Sequence, residues 1–548
     1  MSNYVSKLKI DNEDVYIKDA EARTLLIDLT DNFNLEKGIS VKGFNTVNDM
    51  ISNAKTENIC YVSGYYDRND GGEGFWCIYD NIELGFGIVK LNNGKYAKIV
   101  CGSEINPLMF GIKENEDIGE LLSNFNKNIT VNLLGKQYTL NRKIELESDF
   151  TVCNGSINCL ITESCHDTFF STEEGLNIKN TTFINVDIIG TPNSGAKIEW
   201  RPYLLYLKGE NNLIENCNVK VLNNAAVGGT ALWVRHGNTE LINSSFIAGS
   251  EGNEGGALWC RAYEESDSLY VHAVNCHFEN VTKDEAIAVW GSGDMYVKFD
   301  NCTFKTSRSK YAYTFRTFVK PIHATFSNCL FVGSAQTSVI NSNDIETSGG
   351  SVYLTTYDCD FRYTLTENTP FMDLRGASAK GYAYFKFFNT RISTNKHLIC
   401  IGGQPYFEGC TLNLSSVTYD DSGSIANSGT FKRCSINAPQ CNIGGDSITY
   451  IECTFVLSKN AYCGIKTFIS MIRCALTNRI NLNGTGTNAV VNLDGNTRAV
   501  VGYTTGEIRC NVPFGGGGNV INNMLPVGAA TTWFTSGNYG NNNPGMPT

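Results

Sequence analysis

Charge is scarce in this sequence of 548 residues: Asp, Glu, Lys and Arg together make up 18%, against roughly 25% in an average soluble chain. Lys and Arg number 44 against 55 Asp and Glu, a formal net charge of -11. A nucleic-acid partner, which needs clustered cations to neutralise phosphates, is therefore not expected. An uncharged or sugar-like partner suits the chain better. No charge-free apolar run reaches 18 residues, so no helix is expected to insert into a membrane. The opening Met1-Ser2-Asn3-Tyr4-Val5-Ser6-Lys7 has no apolar core and no small-residue cleavage site, so Sec export is not expected. Only 6 His are present and Cys-x-x-Cys is missing, which removes zinc-ribbon and redox readings. Gly-x-Ser-x-Gly, Walker, His-Glu-x-x-His and EF-hand patterns are absent too, and no cofactor or metal is expected.

What the chain does have is 20 Cys and 53 Gly, and the cysteines mark a repeat. A Cys, Ser or Thr stands two residues before a large apolar residue, as in Asn275-Cys276-His277-Phe278 and Asn301-Cys302-Thr303-Phe304. The same form joins Cys217 to Val219, Ser244 to Phe246, Cys329 to Phe331, Cys359 to Phe361, Cys410 to Leu412, Cys434 to Ile436, Cys453 to Phe455 and Cys474 to Leu476. Weaker copies are Gly155 with Ile157, Thr181 with Phe183 and Thr390 with Ile392. From Ile157 to Leu476 the thirteen anchors fall 19 to 36 residues apart.

A spacing of two puts both side chains on one face of a strand, so each unit turns a small group and a bulky one inward together. Units this short, rich in Val, Ile, Phe and Thr, are too β-like for helical repeats. The expected fold is all-β, a right-handed single-stranded parallel β-helix. Rungs about 4.8 Å apart would make thirteen coils a rod on the order of 60 Å. One thiol per coil stacks on its neighbour and leaves no partner of disulfide geometry, which favours buried free thiols formed in a reducing cytoplasm over bridges.

Outside the repeat, residues 1–37 read as a small adaptor, with Leu25, Leu26, Leu29 and Phe33 at helical spacing from Ala20 to Phe33. Residues 38–103 read as β-hairpins and 104–150 as a helical cap with the first strands. The β-helix proper is placed at 151–476, and 477–548 as a C-terminal cap or trimer-contact region.

Four successive coils carry related strands, at Ala231–His236, Ala257–Ala262, Ala286–Gly291 and Ala312–Thr317. Alternation turns Leu232, Val234, Leu258, Cys260, Ile287, Val289, Tyr313 and Phe315 inward. Trp233, Arg235, Trp259, Arg261, Trp290, Thr314 and Arg316 then face out, an external stripe of aromatics and arginines. Indoles stack on sugar rings and guanidinium groups clamp the carboxylates of acidic sugars; equally, such residues are enriched at a trimer interface. His236 ends the first of these strands. Carboxylates gather at the preceding turns: Glu251, Glu254, Asp284 and Glu285. Glycoside hydrolysis needs two carboxyl groups, about 5–5.5 Å apart for retention or 6.5–9.5 Å for inversion, which adjacent coils can supply. Glu254 and Asp284 or Glu285 are the candidate acid and base or nucleophile. A lyase would instead use Arg235, Arg261, Arg316 or His236. Acidic residues at turns are also ordinary solvated positions.

Three stretches resemble known families. The hairpin section with Asp70-Gly71-Gly72-Glu73-Gly74, then Asn106-Pro107-Leu108-Met109-Phe110-Gly111-Ile112-Lys113, a helix and Gly135 to Leu140, resembles the leading region of phage tailspikes with a pectate-lyase-like β-helix. The phrase after Phe110-Gly111 departs from that family's Gly-Asp-Gly. Lys7 to Arg23 also looks like the N-terminal segments of virion tail proteins. This resemblance implies a homotrimer attached through its N-terminus to virion tail or baseplate proteins, assembled in the host cytoplasm, that binds and often cleaves a host surface polysaccharide. Asp284-Glu285-Ala286-Ile287-Ala288-Val289 is similar to the Asp-Asp-Cys-Ile-Ala-Ile phrase of β-helical polygalacturonases, whose Gly-His-Gly and Arg-Ile-Lys phrases are absent here. The expected function is thus a glycan-cleaving tailspike, with a non-catalytic virion adhesin on the same scaffold as the alternative. A host-encoded pectate-lyase-like enzyme is disfavoured by the missing export signal.

Overall fold

In the computed structural model the repeat strands run parallel and stack rung on rung as a right-handed parallel β-helix. The structure describes residues 41–162, 167–171, 180–192, 203–222, 229–249, 255–342, 350–367, 369–374, 383–395, 399–414, 425–426, 428–439 and 447–457, with short strands at 7–10, 13–16 and between 461 and 535. The helix expected from Ala20 to Phe33 lies outside the described residues. Contacts divide the chain into two units, Met1–Asn193 with Gly209–Asn218, and Ser194–Lys208 with Val219–Thr548.

In the first unit, residues 41–100 form a five-stranded sheet. Strands Ile59–Val62, Gly74–Tyr79, Tyr96–Val100 and Ile88–Lys90 pair antiparallel in that order, and Val41–Phe44 joins in parallel. The helix Val47–Asn53, capped by Thr46, lays Val47 and Met50 on Cys60, Val62, Trp76 and Ala97. Asp70 organises the glycine-rich loop: its carboxylate accepts the N–H groups of Tyr65, Tyr66, Asp67 and Gly72. Partial burial raises its pKa, but those four donors outweigh it and hold the carboxyl below its usual range. The helix Gly119–Asn124 follows, with Ile118, Leu121 and Leu122 fully buried.

One anchor needs correcting. Phe183 pairs with Val152 and Ile214, whereas Ile157 pairs with Ile188. Residue 188, not 183, therefore occupies the anchor rung, and the uneven steps of 26 and 36 from Ile157 through Phe183 to Val219 become two steps of 31. Left-handed corners precede both rows, Asn180 three residues before Phe183 at φ 52° among them, so strand pairing is what assigns the row. Asn154 and Asn185, three residues before Ile157 and Ile188, both adopt the left-handed conformation, at φ 57° and 55°.

In the second unit the repeat holds without exception along one rung: Phe246, Phe278, Phe304, Phe331, Phe361, Ile392, Leu412, Ile436, Phe455 and Leu476 pair in direct register. The phenyl rings stack, with centroids 5.4, 5.2, 4.6 and 4.1 Å apart from Phe246 to Phe361. Each small partner sits at a corner. The Cys302 thiol donates to the carbonyls of Asp300 and Ala273, one on its own coil and one on the coil before, and Cys276, Cys329 and Cys359 repeat the arrangement. Thiols are thus buried donors, and no disulfide occurs among the described residues. Burial, joined at Cys400 by the nearby Asp373 charge, pushes the Cys260 and Cys400 thiols far above the usual range, where no reactive thiolate forms. Parallel pairing also runs past Leu476: Phe468–Ile472 pairs with Val490–Leu493, which pairs with Glu507–Cys510.

The corner residue before each thiol is left-handed: Asn275, Asn301, Asn328 and Asp358 have φ between 53° and 56°. Asn and Asp tolerate this conformation; other L-residues lose about 1–2 kcal/mol there. Asn301→Ala is therefore expected to destabilise by about that amount, with Asn301→Gly milder, read as the urea midpoint at unchanged slope. Equal losses for both substitutions would mean that the corner conformation is not what Asn301 supplies.

Carboxylates on the outer side of these coils are paired. Asp300 lies 2.7 Å from Lys298 and 2.9 Å from His272, and Glu279 lies 2.8 Å from Lys305 and 3.2 Å from His277. Partial burial raises both pKa values, but hydrogen bonds from these partners and the lysine charges outweigh it and hold both below the usual range. A depressed folded pKa adds stability above the unfolded value, about 4, and loses it as pH falls through the folded value. The melting temperature is expected to fall below pH 4, and Asp300→Asn to flatten that fall. An identical acid slope in the variant would remove Asp300 from the account.

Candidate functional site

The four related strands lie in the second unit as Thr230–Ile242, Leu258–Ala262, Ile287–Gly291 and Thr303–Thr317. They pair in the expected register, Leu232 on Leu258 on Ile287 on Tyr313, and all eight residues assigned inward are at most 1% exposed. The outward rows follow: Trp233 on Trp259 on Ala288 on Thr314, and Arg261 on Trp290 on Arg316.

Facing away from the core is not the same as being open, and the expectation of an external stripe needs correcting at its centre. Trp259 is fully buried and Arg261 is 8% exposed. The Arg261 guanidinium carbon sits 3.9 Å from the Trp259 ring centroid, 4.1 Å from Trp290 and 4.9 Å from Trp233. A desolvated cation–π contact is worth about 2 kcal/mol, so Arg261 holds the three indoles together. Trp233, Arg235, Trp290 and Arg316 remain partly exposed.

Four aromatics that the sequence reading missed complete the cluster. Tyr203 and Tyr206 each meet Trp233 edge-on at 5.2 Å, Tyr263 lies 5.7 Å from Trp290, and Phe318 lies 6.0 Å from it. Arg235 donates to the Tyr206 hydroxyl at 3.0 Å and lies 4.8 Å from the Tyr263 ring. Tyr206 was available to the alternation argument, since it sits one coil before Trp233 in register.

The carboxylates stand at the turn ahead of Ile287. Asn280 and Thr282, both fully buried, fix this turn: the Asn280 amide donates to the Asp284 carbonyl and Thr282 Oγ1 accepts the Asp284 N–H. The Asp284 carboxylate accepts the Gly255 N–H at 3.3 Å. The Glu285 side chain, 13% exposed, accepts from Thr314 Oγ1 at 3.1 Å and lies 3.9 Å from Arg316. Burial pushes the Glu285 carboxyl up, but a hydrogen bond from Asp284, with Arg316 and Thr314, outweighs it and leaves Glu285 below the usual range. The geometry thus holds Glu285 ionised beside Asp284.

His236 is engaged elsewhere: its Nδ1 accepts the Ser268 N–H at 3.4 Å and lies 3.5 Å from Asp267. Glu251 and Glu254 lie outside the described residues. Among the described residues no group of three or more His, Cys, Asp or Glu is placed to hold a metal, and no helix is long and apolar enough to cross a membrane.

No family model matches the chain, and no curated protein does. Among solved structures it is similar to a tailspike protein of Acinetobacter baumannii bacteriophage Fri1, a capsular polysaccharide depolymerase, at 12% identity over 63% of this chain and 74% of that one, TM-score 0.35. It is similar to the enzymatically active domain of tailspike protein 4 of bacteriophage CBA120, at 10% identity over 78% of this chain and 57% of that one, TM-score 0.38. A surface adhesin of Streptococcus pneumoniae, PfbA, matches at 11% identity over 70% of this chain and 94% of that one, TM-score 0.36. None of the three assigns a role to a residue of this chain.

Proposed function

We propose that this chain is a phage virion tailspike, a receptor-binding protein that recognises and depolymerises a host cell-surface polysaccharide. The observation that carries the reading is the aromatic and guanidinium cluster of the second unit with ionised Glu285 beside it. The leading-region resemblance adds the homotrimer and the attachment of the N-terminus to the virion tail. In this reading Trp233, Tyr263 and Trp290 offer ring surface to sugars, and Arg235 and Arg316 meet acidic groups. Trp259 and Arg261 support them from beneath. Glu285 acts as base or nucleophile, with Glu254 as the proton donor.

One observation favours the second reading, a virion adhesin that binds without cleaving. Asp284 and Glu285 share a hydrogen bond, which sets them closer than the separation of either glycosidase class. Cleavage then calls on Glu254. The test is to incubate the purified chain with purified capsular and cell-wall polysaccharides of the strains its phage infects, and to measure binding and new reducing ends. Binding with release supports the tailspike enzyme; binding without release selects the adhesin; no binding to any of them ends both.

A further inference from the structure

A second outward face of the second unit carries a feature the glycan site does not use. On strands Ser268–Val274, Asp294–Asp300, Ile322–Ser327, Val352–Tyr357 and Ala383–Phe388, the residues Tyr270, Tyr296, His323, Tyr353 and Tyr384 pair in direct register. From Tyr296 to Tyr384 the rings stack at 4.8 Å each, tilted by only 3° to 6°. Four positions further along the last two strands, Tyr357 stacks on Phe388 at 5.2 Å. Tyr270, Tyr296, Tyr353, Tyr357 and Tyr384 are five of the twelve exposed large hydrophobics among the described residues. Single exposed aromatics need no explanation, but a contiguous patch marks an interaction site.

We infer that this face is where copies of the chain meet, ladder against ladder. Three observations select that occupant. The stacked rings cover one another's faces and present edges, which removes the flat surface a sugar ring needs and leaves the tyrosine-rich edge surface common at the centre of protein interfaces. Beside the first rungs of the ladder the charges are already matched within the chain, His272 with Glu240 and Asp300, and Lys298 with Asp300. Finally, a ladder repeating at rung spacing is met in phase by an object with the same repeat, and another copy has it by construction.

The size is sufficient. Five strands about 4.8 Å apart, from Ser268–Val274 to Ala383–Phe388, by six residues of about 3.3 Å give about 500 Å² per copy. Two copies then reach about 1,000 Å², the lower bound for a specific interface. This inference deepens the assembly half of the proposed function and stands apart from its glycan half.

Sedimentation of the full chain tests it. The wild type is expected at a multiple of the single-chain mass, and Tyr296→Lys with Tyr353→Lys at one chain, with glycan binding per chain retained. Leu84→Lys, an exposed position in the first unit, keeps the wild-type mass. Should the double Lys variant lose its β-sheet spectrum, Tyr296→Thr with Tyr353→Thr keeps strand-forming residues and is expected to weaken assembly at least tenfold. A wild type that sediments as one chain overturns the inference, as does an unchanged mass in a folded double variant. Unchanged mass with lost glycan binding overturns it in favour of a ligand track along the ladder.

Discussion

Glu285→Gln is expected to lower the release of reducing ends from the target glycan by roughly 10²- to 10⁴-fold, the usual range for removing a positioned proton-transfer group, while the dissociation constant changes little. The amide keeps the shape of the side chain and its acceptor for Thr314, but gives up the negative charge that faces Arg316. Binding is expected to survive because the ring surface of Trp233, Tyr263 and Trp290 is untouched. Because Glu285 is held below the ordinary glutamate range, the base stays ionised on the acid side, and the acid limb of the rate profile is expected below that range. Undiminished release by the variant would remove Glu285 from the chemistry. Loss of binding with intact fold would show that the carboxylate serves to orient Arg316.

Phe304→Ala is expected to cost about 3–5 kcal/mol, the range for emptying a large aromatic site in a core. Phe304 is fully buried in the anchor rung, stacked on Phe278 at 5.2 Å and Phe331 at 4.6 Å. Phe299, Phe326 and Tyr313 meet it edge-on at 5.3 to 5.9 Å. Neighbours locked by their own stacks cannot collapse into the space, which places the cost toward the upper end. Denaturant unfolding is the measurement. Since each coil touches mainly its neighbours, the variant is also expected to lose a single sharp transition. A loss under 1 kcal/mol would mean that adjacent coils close the gap.

The fold was legible because parallel stacking makes each coil repeat the same chemical choice at the same place: Cys276, Cys302, Cys329 and Cys359 each serve two carbonyls, and an aromatic follows two residues later. The reading failed at Phe183, where a small residue before a large one is ordinary strand alternation. A left-handed Asn stands three residues before both candidates, Asn180 and Asn185, so only the pairing of Ile157 with Ile188 tells the two rows apart. At the candidate site, alternation gave the direction of Trp233, Trp259, Arg261 and Trp290 but not their exposure. Exposure depends on what neighbouring side chains cover, and the three indoles around Arg261 cover one another. Tyr263 and Phe318 were missed because they lie beyond the strand residues that alternation treats. The stacked face from Tyr270 to Tyr384 needed the register of five strands at once.

The corner at Asn301-Cys302 is chemically the same as the corner at Asn328-Cys329, 27 residues on. Excising the interval from 302 to 328 would rejoin an identical joint, and the thiol at 329 would find an equivalent carbonyl one storey down. Length in such a molecule is therefore a modular quantity. A lineage can shorten or extend the solenoid by whole storeys without redesigning the joints between.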